Sequence, residues 1–399
     1  MPLINLSGYR AAARRALPRA VFDYVDGGAE DEVTLRANRA SFAALRLIPR
    51  IQEDNRALDL RTGISGQEMA LPIMLSPTGN SGLIHYQGDL AGARAAAKRK
   101  LIMVVSGASN YTVEEIAEAN PGAWYQLYPW VSRDFYGALI KRVAAAGYRG
   151  LVVTVDVPGP PKRERDIANG FTPPRLTRRN AWDIATHPRW TADVVLHRRV
   201  VLRAFLADDN LPGILSFIRE AKRTAGEVTR TAVRATWDEL AWIREQWNGP
   251  LGVKGILAPE DARRAVDLGA DVIYVSNHGG RQLDSAPAGI EVLPAVVEAV
   301  GDDAAIVLDG GIRRGTDIVK ALCLGARAVS IGRPWLYGLA ASGPAGVEEV
   351  IDLLQRELSI ALNLLGQPSV RRLDRSYLMP AGVEFDASAR QVQSRKAMA

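Results

Sequence analysis

The chain has 399 residues, 47% of them hydrophobic, with 36 glycines and 22 prolines, enough for one large α/β domain or two smaller ones. Its 50 Lys and Arg exceed its 44 Asp and Glu by six, a modest net charge for this length; nucleic-acid binding would want such charges in a stripe interleaved with aromatics, and here the excess gathers in one segment. The single cysteine, Cys323, excludes a disulfide framework and fits a reducing, cytoplasmic setting, while the lack of an apolar run of ~18 residues or of a signal-peptide core predicts a chain that crosses no membrane.

In chain order, residues 1–70 form a helical opening segment, in which ALPRAVFDYVDGGAEDEVTLRANRASFAAL (16–45) reads as two helices separated by Gly27-Gly28. Short, almost continuously apolar runs then recur: LPIMLSP (71–77), LIMVVSG (101–107), WYQLYPW (124–130) and GLVVTVDVP (150–158). After a gap come PLGVKGI (250–256), DVIYVSNHG (271–279), AIVLDGG (305–311) and AVSIGRP (328–334). Such runs mark strands buried on both faces of a parallel sheet. Amphipathic stretches separate them, among them GDLAGARAAAKRK (88–100) and RRGTDIVKALCLGA (313–326), with acidic or Ser starts and Gly ends. Eight strands each followed by a helix predict a (β/α)8 TIM barrel. A doubly wound sheet would want a G-x-G-x-x-G turn early on, and SPTGNSG (76–82) lacks that spacing.

The span 159–235 is too long for a βα connection and reads as an insertion after strand four, within one domain covering 1–399. Between 171 and 205 seven arginines face two acids, with Trp182, Trp190 and valine–leucine clusters at 194–196 and 200–202 interleaved. A lipid-surface contact and a solvated lid over the barrel mouth both fit that composition. His85, His187 and His197 share no metal-ligand spacing and read as surface or loop residues.

Every strand candidate ends in something polar or glycine-rich: Ser76-Pro77-Thr78-Gly79, Ser106, Gln126 and Tyr128, Thr154 and Asp156, Lys254, Ser276 and His278, Asp309-Gly310-Gly311, Gly332-Arg333. In a barrel these converge on one face, where the active site lies. LDGGIRRGTD (308–317) and IGRPW (331–335) combine glycines, Arg313, Arg333 and a helix start near Thr316. That suits a phosphate, although cap glycines beside surface arginines would read the same way. Lys254 in a barrel mouth needs a negative partner, such as the edge of a flavin that becomes anionic on reduction. Ser106, Gln126 and Thr154 suit a flavin's polar rim, and simple strand-end capping explains them equally.

The motifs carry a resemblance. FDYVDGGAEDEVTLRANRASF, SPTG, YQLY, TVDVP, RERDIANGF, VKGI, SNHGGRQLD and LDGGIRRGTDIVKALCLGARAVSIGRPWLYGLA, in this order along nearly the whole chain, resemble the FMN-dependent α-hydroxy-acid oxidase and dehydrogenase family. The resemblance implies FMN as cofactor, His278 as the base that takes a proton from substrate, and Asp156 as its partner. It implies Arg281 and Arg163 on the substrate carboxylate, Tyr128 and Tyr24 beside them, and Lys254 on the reduced flavin. Thr78 and Gly79 are implied near N5, with Ser106, Gln126, Thr154 and Ser276 around the cofactor and Asp309, Gly311, Arg313, Gly332 and Arg333 on its phosphate.

Two details resemble the mandelate dehydrogenases within that family. SGASN (106–110) puts Ala108 where short-chain oxidases carry a bulky aromatic, and Gly79 replaces a common alanine. The subgroup implies an aryl (S)-2-hydroxy acid as substrate, a quinone-like acceptor, a homotetramer and peripheral attachment to the inner face of a membrane. The readings left beside it are an oxygen-using 2-hydroxy-acid oxidase, a non-redox FMN barrel isomerase and a non-catalytic binding protein.

Overall fold

The computed structural model describes residues 3–51, 57–129, 132–170, 177–197 and 235–381. Three helices open the chain: α1 (Leu6–Ala16), α2 (Arg19–Asp26) and α3 (Val33–Ala43). Asn5 caps α1 by accepting from the Gly8 N–H at 2.8 Å, satisfying a donor the first turn leaves without a partner. Leu6, Tyr9 and Ala13 form the buried stripe of α1. Gly27-Gly28 separate α2 from α3, as the sequence predicts.

Among the described residues eight parallel strands follow: β1 (Ile73–Leu75), β2 (Val104–Val105), β3 (Trp124–Leu127), β4 (Gly150–Thr154), β5 (Leu251–Ile256), β6 (Val272–Ser276), β7 (Ala305–Asp309) and β8 (Ala328–Ile331). Each falls inside its predicted run. Hydrogen-bonded neighbours run from β2 through β8 in sequence order and then to β1. A parallel bridge between Leu75 and Met103 closes the circle between β1 and β2. This is a (β/α)8 barrel.

The outer ring is α4 (Gly88–Lys98), α5 (Val113–Ala119), α6 (Arg133–Ala145), α10 (Trp237–Gln246), α11 (Pro259–Asp267), α12 (Gly289–Val300), α13 (Gly315–Cys323) and α14 (Arg333–Leu364). The last is kinked at Ser342-Gly343, where the backbone leaves helical geometry. Inward-pointing Met74, Val104, Trp124, Val152, Val272, Tyr274, Val307 and Ala328 fill the barrel, joined by Ile64 and Met69. The last two belong to an antiparallel hairpin, Thr62–Ile64 with Gln67–Met69, that turns through left-handed Ser65 and Gly66. No sequence pattern announces this plug, because each of its strands is only three residues long.

The insertion contributes α7 (Glu164–Ala168), α8 (Arg178–Ala185) and α9 (Pro188–His197); 171–176 and 198–234, including the apolar 200–202 cluster, lie outside the described residues. Trp190 Nε1 donates to Leu83 O at 2.7 Å and Asp193 accepts from the Tyr86 N–H at 2.9 Å. These contacts anchor α9 on the loop after β1. His85 and His197 both stack on Tyr86, with centroids 4.7 and 3.6 Å away. His85 thus sits in that loop, half-buried against Tyr86.

Candidate active site

The strand ends open into a cavity of about 1190 Å³, open mouth included. Of the sequence-predicted residues, Tyr24, Tyr128, Arg163, Lys254, His278 and Arg281 line it. So do Thr78, Gly79, Ser106, Asp309, Gly311, Arg313, Gly332 and Arg333, with Ala108. Asp156, Gln126, Thr154 and Ser276 stand behind that lining, touching its members.

After β6 the chain reverses through three left-handed residues, His278 (φ 57°), Gly279 (φ 67°) and Gly280 (φ 73°). A non-glycine residue there costs roughly 1–2 kcal/mol, so the histidine is held in place by its surroundings. Its N–H donates to Ser276 Oγ at 3.1 Å and its Nδ1 meets Asp156 Oδ1 at 3.0 Å. Asn277 accepts from the Gly280 N–H at 3.1 Å and exchanges two 2.8 Å side-chain bonds with Asn38 of α3. Burial lowers the His278 pKa below 6.5 against the pull of Asp156. Burial would raise Asp156, but His278 and Lys254 outweigh it and hold that carboxyl below its usual range. At neutral pH the pair is a neutral imidazole donating Nδ1–H to a carboxylate, which leaves Nε2 as the basic nitrogen.

Four guanidiniums crowd the same mouth. Arg281 Nη1 donates to Tyr24 O (2.6 Å) and Gly27 O (3.0 Å) and lies 5.0 Å above the Tyr24 ring. Arg163 Nε donates to Arg281 O at 3.3 Å. Arg333 donates to Val25 O, Gly279 O and Gly27 O at 3.0, 2.9 and 2.8 Å, and Arg313 to Ile312 O at 2.7 Å. Among the described residues none of the four is paired with a carboxylate. Burial, reinforced by Arg281, pushes Arg163 down to about 10. Burial does the same to Arg333, with Arg281 and Arg313 adding to it. Four guanidiniums gathered in one mouth attract anions.

Asp309 departs from its expected place on the phosphate. Its carboxylate pairs with Lys254 Nζ at 2.9 Å, accepts from Ser276 Oγ at 2.7 Å, and accepts a short bond from Ser76. A carboxylate repels phosphate, so its role here is counter-ion to the lysine. Burial would neutralise Lys254, but Asp309 and Asp156 raise its pKa, and a charged ammonium stays in the barrel. Ser276 Oγ joins the two halves of the site, accepting from both Lys254 Nζ (2.9 Å) and the His278 N–H. A helix does start near Thr316, at Gly315, but its first N–H groups are already taken. Asp317 accepts from the N–H groups of Arg313 and Arg314 at 2.9 Å, and Glu357 from that of Gly315. The N-terminal end of α13 is thus already occupied by carboxylates, while Gly311, Arg313, Gly332 and Arg333 line the mouth.

The neutral rim fits a flavin. Gln126 Nε2 donates to Thr154 Oγ1 at 2.6 Å, while Gln126 Oε1 and Thr78 Oγ1 are buried with no hydrogen-bond partner among the described residues. Such orphans are costly unless a ligand satisfies them. Ser330 and Asn277 escaped prediction, and Ser76 was read only as part of a polar strand end. Ser76 and Ser330 share a 2.7 Å hydroxyl contact across adjacent strands, a pairing only closure of the barrel creates.

A family model described as "FMN-dependent dehydrogenase" matches residues 13–380. The chain belongs to this family. An L-lactate dehydrogenase of Pseudomonas syringae pv. syringae is 40% identical, over 96% of this chain and all of that protein. The solved structure of a monotopic membrane protein, (S)-mandelate dehydrogenase, is similar with a TM-score of 0.89 and 38% identity over 95% of this chain and all of the other. A mandelate oxidase structure gives 0.81 and 36%, over 96% and 100%. Family membership makes the chain an FMN-dependent oxidoreductase acting on the CH–OH group of a 2-hydroxy acid.

Proposed function

We propose that the chain oxidises an aryl-bearing (S)-2-hydroxy acid such as mandelate to the 2-oxo acid and passes the electrons to a quinone-like acceptor. Bound FMN supplies the two-electron acceptor. Arg281 and Arg163 bind the carboxylate, and Tyr24 and Tyr128 flank it. Burial pushes the Tyr128 phenol up to about 12, so it remains a proton donor. His278 accepts a proton at Nε2 as the hydroxyl carbon becomes a carbonyl, and Asp156 stabilises the imidazolium that results. Lys254 would place its ammonium where negative charge develops on the reduced cofactor, with Arg313 and Arg333 on the phosphate.

One observation carries the substrate choice. Ala108 lines the cavity directly against Gly79, so close that a Cβ on Gly79 would sit 3.0 Å from the Ala108 Cβ. Two small residues in contact leave space for a ring beside the carboxylate clamp. Gly79 also supports the quinone-like acceptor, as does similarity to a monotopic membrane protein. A second reading, with oxygen as acceptor, is favoured by the likeness to mandelate oxidase.

The insertion supports a membrane-side acceptor. Trp182 and Leu196 are each 74% exposed and Ile167 53%, alongside exposed Arg178, Arg179 and Arg189. Among the described residues no helix is long and apolar enough to cross a membrane, so we propose contact with an anionic lipid surface. Anaerobic reduction by a panel of 2-hydroxy acids, followed by mixing with oxygen or a soluble quinone, tests substrate and acceptor separately. Reduction by mandelate with fast quinone and slow oxygen reoxidation is expected. Hydrogen peroxide formed at the turnover rate makes the chain an oxidase.

A further inference from the structure

The last carbonyls of a helix have no intrahelical partner, and at the end of α2 they are used by the site. Tyr24 O and Gly27 O accept from Arg281, and Val25 O and Gly27 O accept from Arg333. Gly27 O therefore holds two guanidiniums that arrive on different loops, one after β6 and one at the start of α14. The approach is as tight as backbone allows. A Cβ at Gly28 would lie 2.8 Å from Gly280 O, and one at Gly280 would lie 2.6 Å from Leu35 N.

Behind this carbonyl cage stands Asp26, 6% exposed. It accepts from Arg10 Nε and Nη2 of α1 at 2.6 Å each, from the Tyr337 hydroxyl of α14 at 2.7 Å, and from Arg165 Nη1 at 3.3 Å. Burial would raise its pKa, but Arg10 and Tyr337 hold it at about 2. Arg165 lies two residues from Arg163, and Tyr337 one helical turn from Arg333. Asp26 thus ties α2 to every segment that brings an arginine into the mouth except those of Arg281 and Arg313, and it lines none of the cavity.

We propose that Asp26 is a positioning residue: it fixes the end of α2 so that Gly27 O sets Arg281 and Arg333 in place together, for the substrate carboxylate and the FMN phosphate respectively. The proposal rests on the functional reading of those two arginines. Loss of the Asp26 charge loosens both anion sites at once and leaves the proton-transfer machinery of His278 and Asp156 in place.

The test is Asp26→Asn in the FMN-loaded enzyme. The KM for the hydroxy acid, the Kd of an unreactive 2-oxo acid on the oxidised enzyme and the FMN dissociation constant should each rise about tenfold, the scale of one charge-assisted hydrogen bond. FMN release is read by flavin fluorescence on dilution. The limiting reduction rate at saturating substrate should stay within about twofold. A lowered Tm with both affinities unchanged, or a lowered limiting rate with KM unchanged, overturns the proposal. If that variant does not fold, Arg10→Lys removes the bidentate fork from the half-exposed side and should give the same pattern more weakly. Arg281→Lys and Arg333→Lys separate the two levels. Should either leave its own ligand's affinity unchanged, the reading of the arginines fails and takes the proposal with it. Should each shift its own ligand while Asp26→Asn and Arg10→Lys shift neither, the positioning claim fails alone.

Discussion

His278 is a usable base because burial lowers its pKa against the opposing pull of Asp156, which also fixes its tautomer. The sign for activity follows. The basic form dominates above a pKa lying below 6.5, so the flavin reduction rate should be flat above neutrality and fall as the pH drops through that pKa. The same depressed pKa means the unfolded chain takes up this proton first, so stability declines over the same descent. Stopped-flow reduction between about pH 5 and 8 checks the profile, and a rate rising on acidification would contradict it. His278→Gln should lower the limiting rate by about 10²–10⁴-fold while an unreactive 2-oxo acid still binds. At Ala108 the prediction concerns size: Ala108→Trp overpacks the contact with Gly79 and should reverse a preference for mandelate over glycolate, measured as the ratio of kcat/KM values. That His278 would stand in the mouth was legible from its place just after a strand end, whereas Arg163, nine residues beyond β4, was placed there only by the resemblance. The role of Asp309 was not legible, because its neighbours Gly310 and Gly311 suggest a phosphate loop, and only barrel closure reveals Lys254 as its partner.

At the scale of elements, the loop after β6 works through backbone contacts with the opening segment. Gly280 has φ 73° and would put a Cβ 2.6 Å from Leu35 N, whereas Gly147, at φ 85°, has nothing within 4 Å. Gly147→Ala should therefore cost about 1 kcal/mol of stability, the left-handed penalty alone. Gly280→Ala should lower Tm clearly further and weaken FMN retention, since α3 must move away. Equal Tm values for the two variants would show that the close approach carries no strain. Strands were legible because burial on both faces leaves unbroken apolar runs. The cage at the end of α2 was not, because carbonyls carry no sequence signal. The occupied end of α13 was missed for a related reason: the capping by Asp317 and Glu357 depends on the local turn and on the approach of α14.

For the whole molecule, closing eight strands into a circle gathers residues from Tyr24 to Arg333 into one mouth, which is why short motifs scattered over the chain describe a single site. The insertion lies beside that mouth, tied to the β1 loop by Trp190. Its exposed Trp182, Leu196 and arginines predict co-sedimentation with vesicles containing anionic lipid and little with zwitterionic ones, weakening as salt is raised. Equal recovery on both vesicle types, or on neither, would remove the lipid contact. The central claim, that this mouth oxidises an aryl 2-hydroxy acid on bound FMN, is tested most directly by anaerobic stopped-flow reduction of the purified flavoprotein with (S)-mandelate, (S)-lactate and glycolate. The account predicts flavin bleaching by all three, fastest with mandelate. Faster reduction by lactate or glycolate contradicts the aryl pocket, and no reduction by any 2-hydroxy acid contradicts the assignment of the site itself.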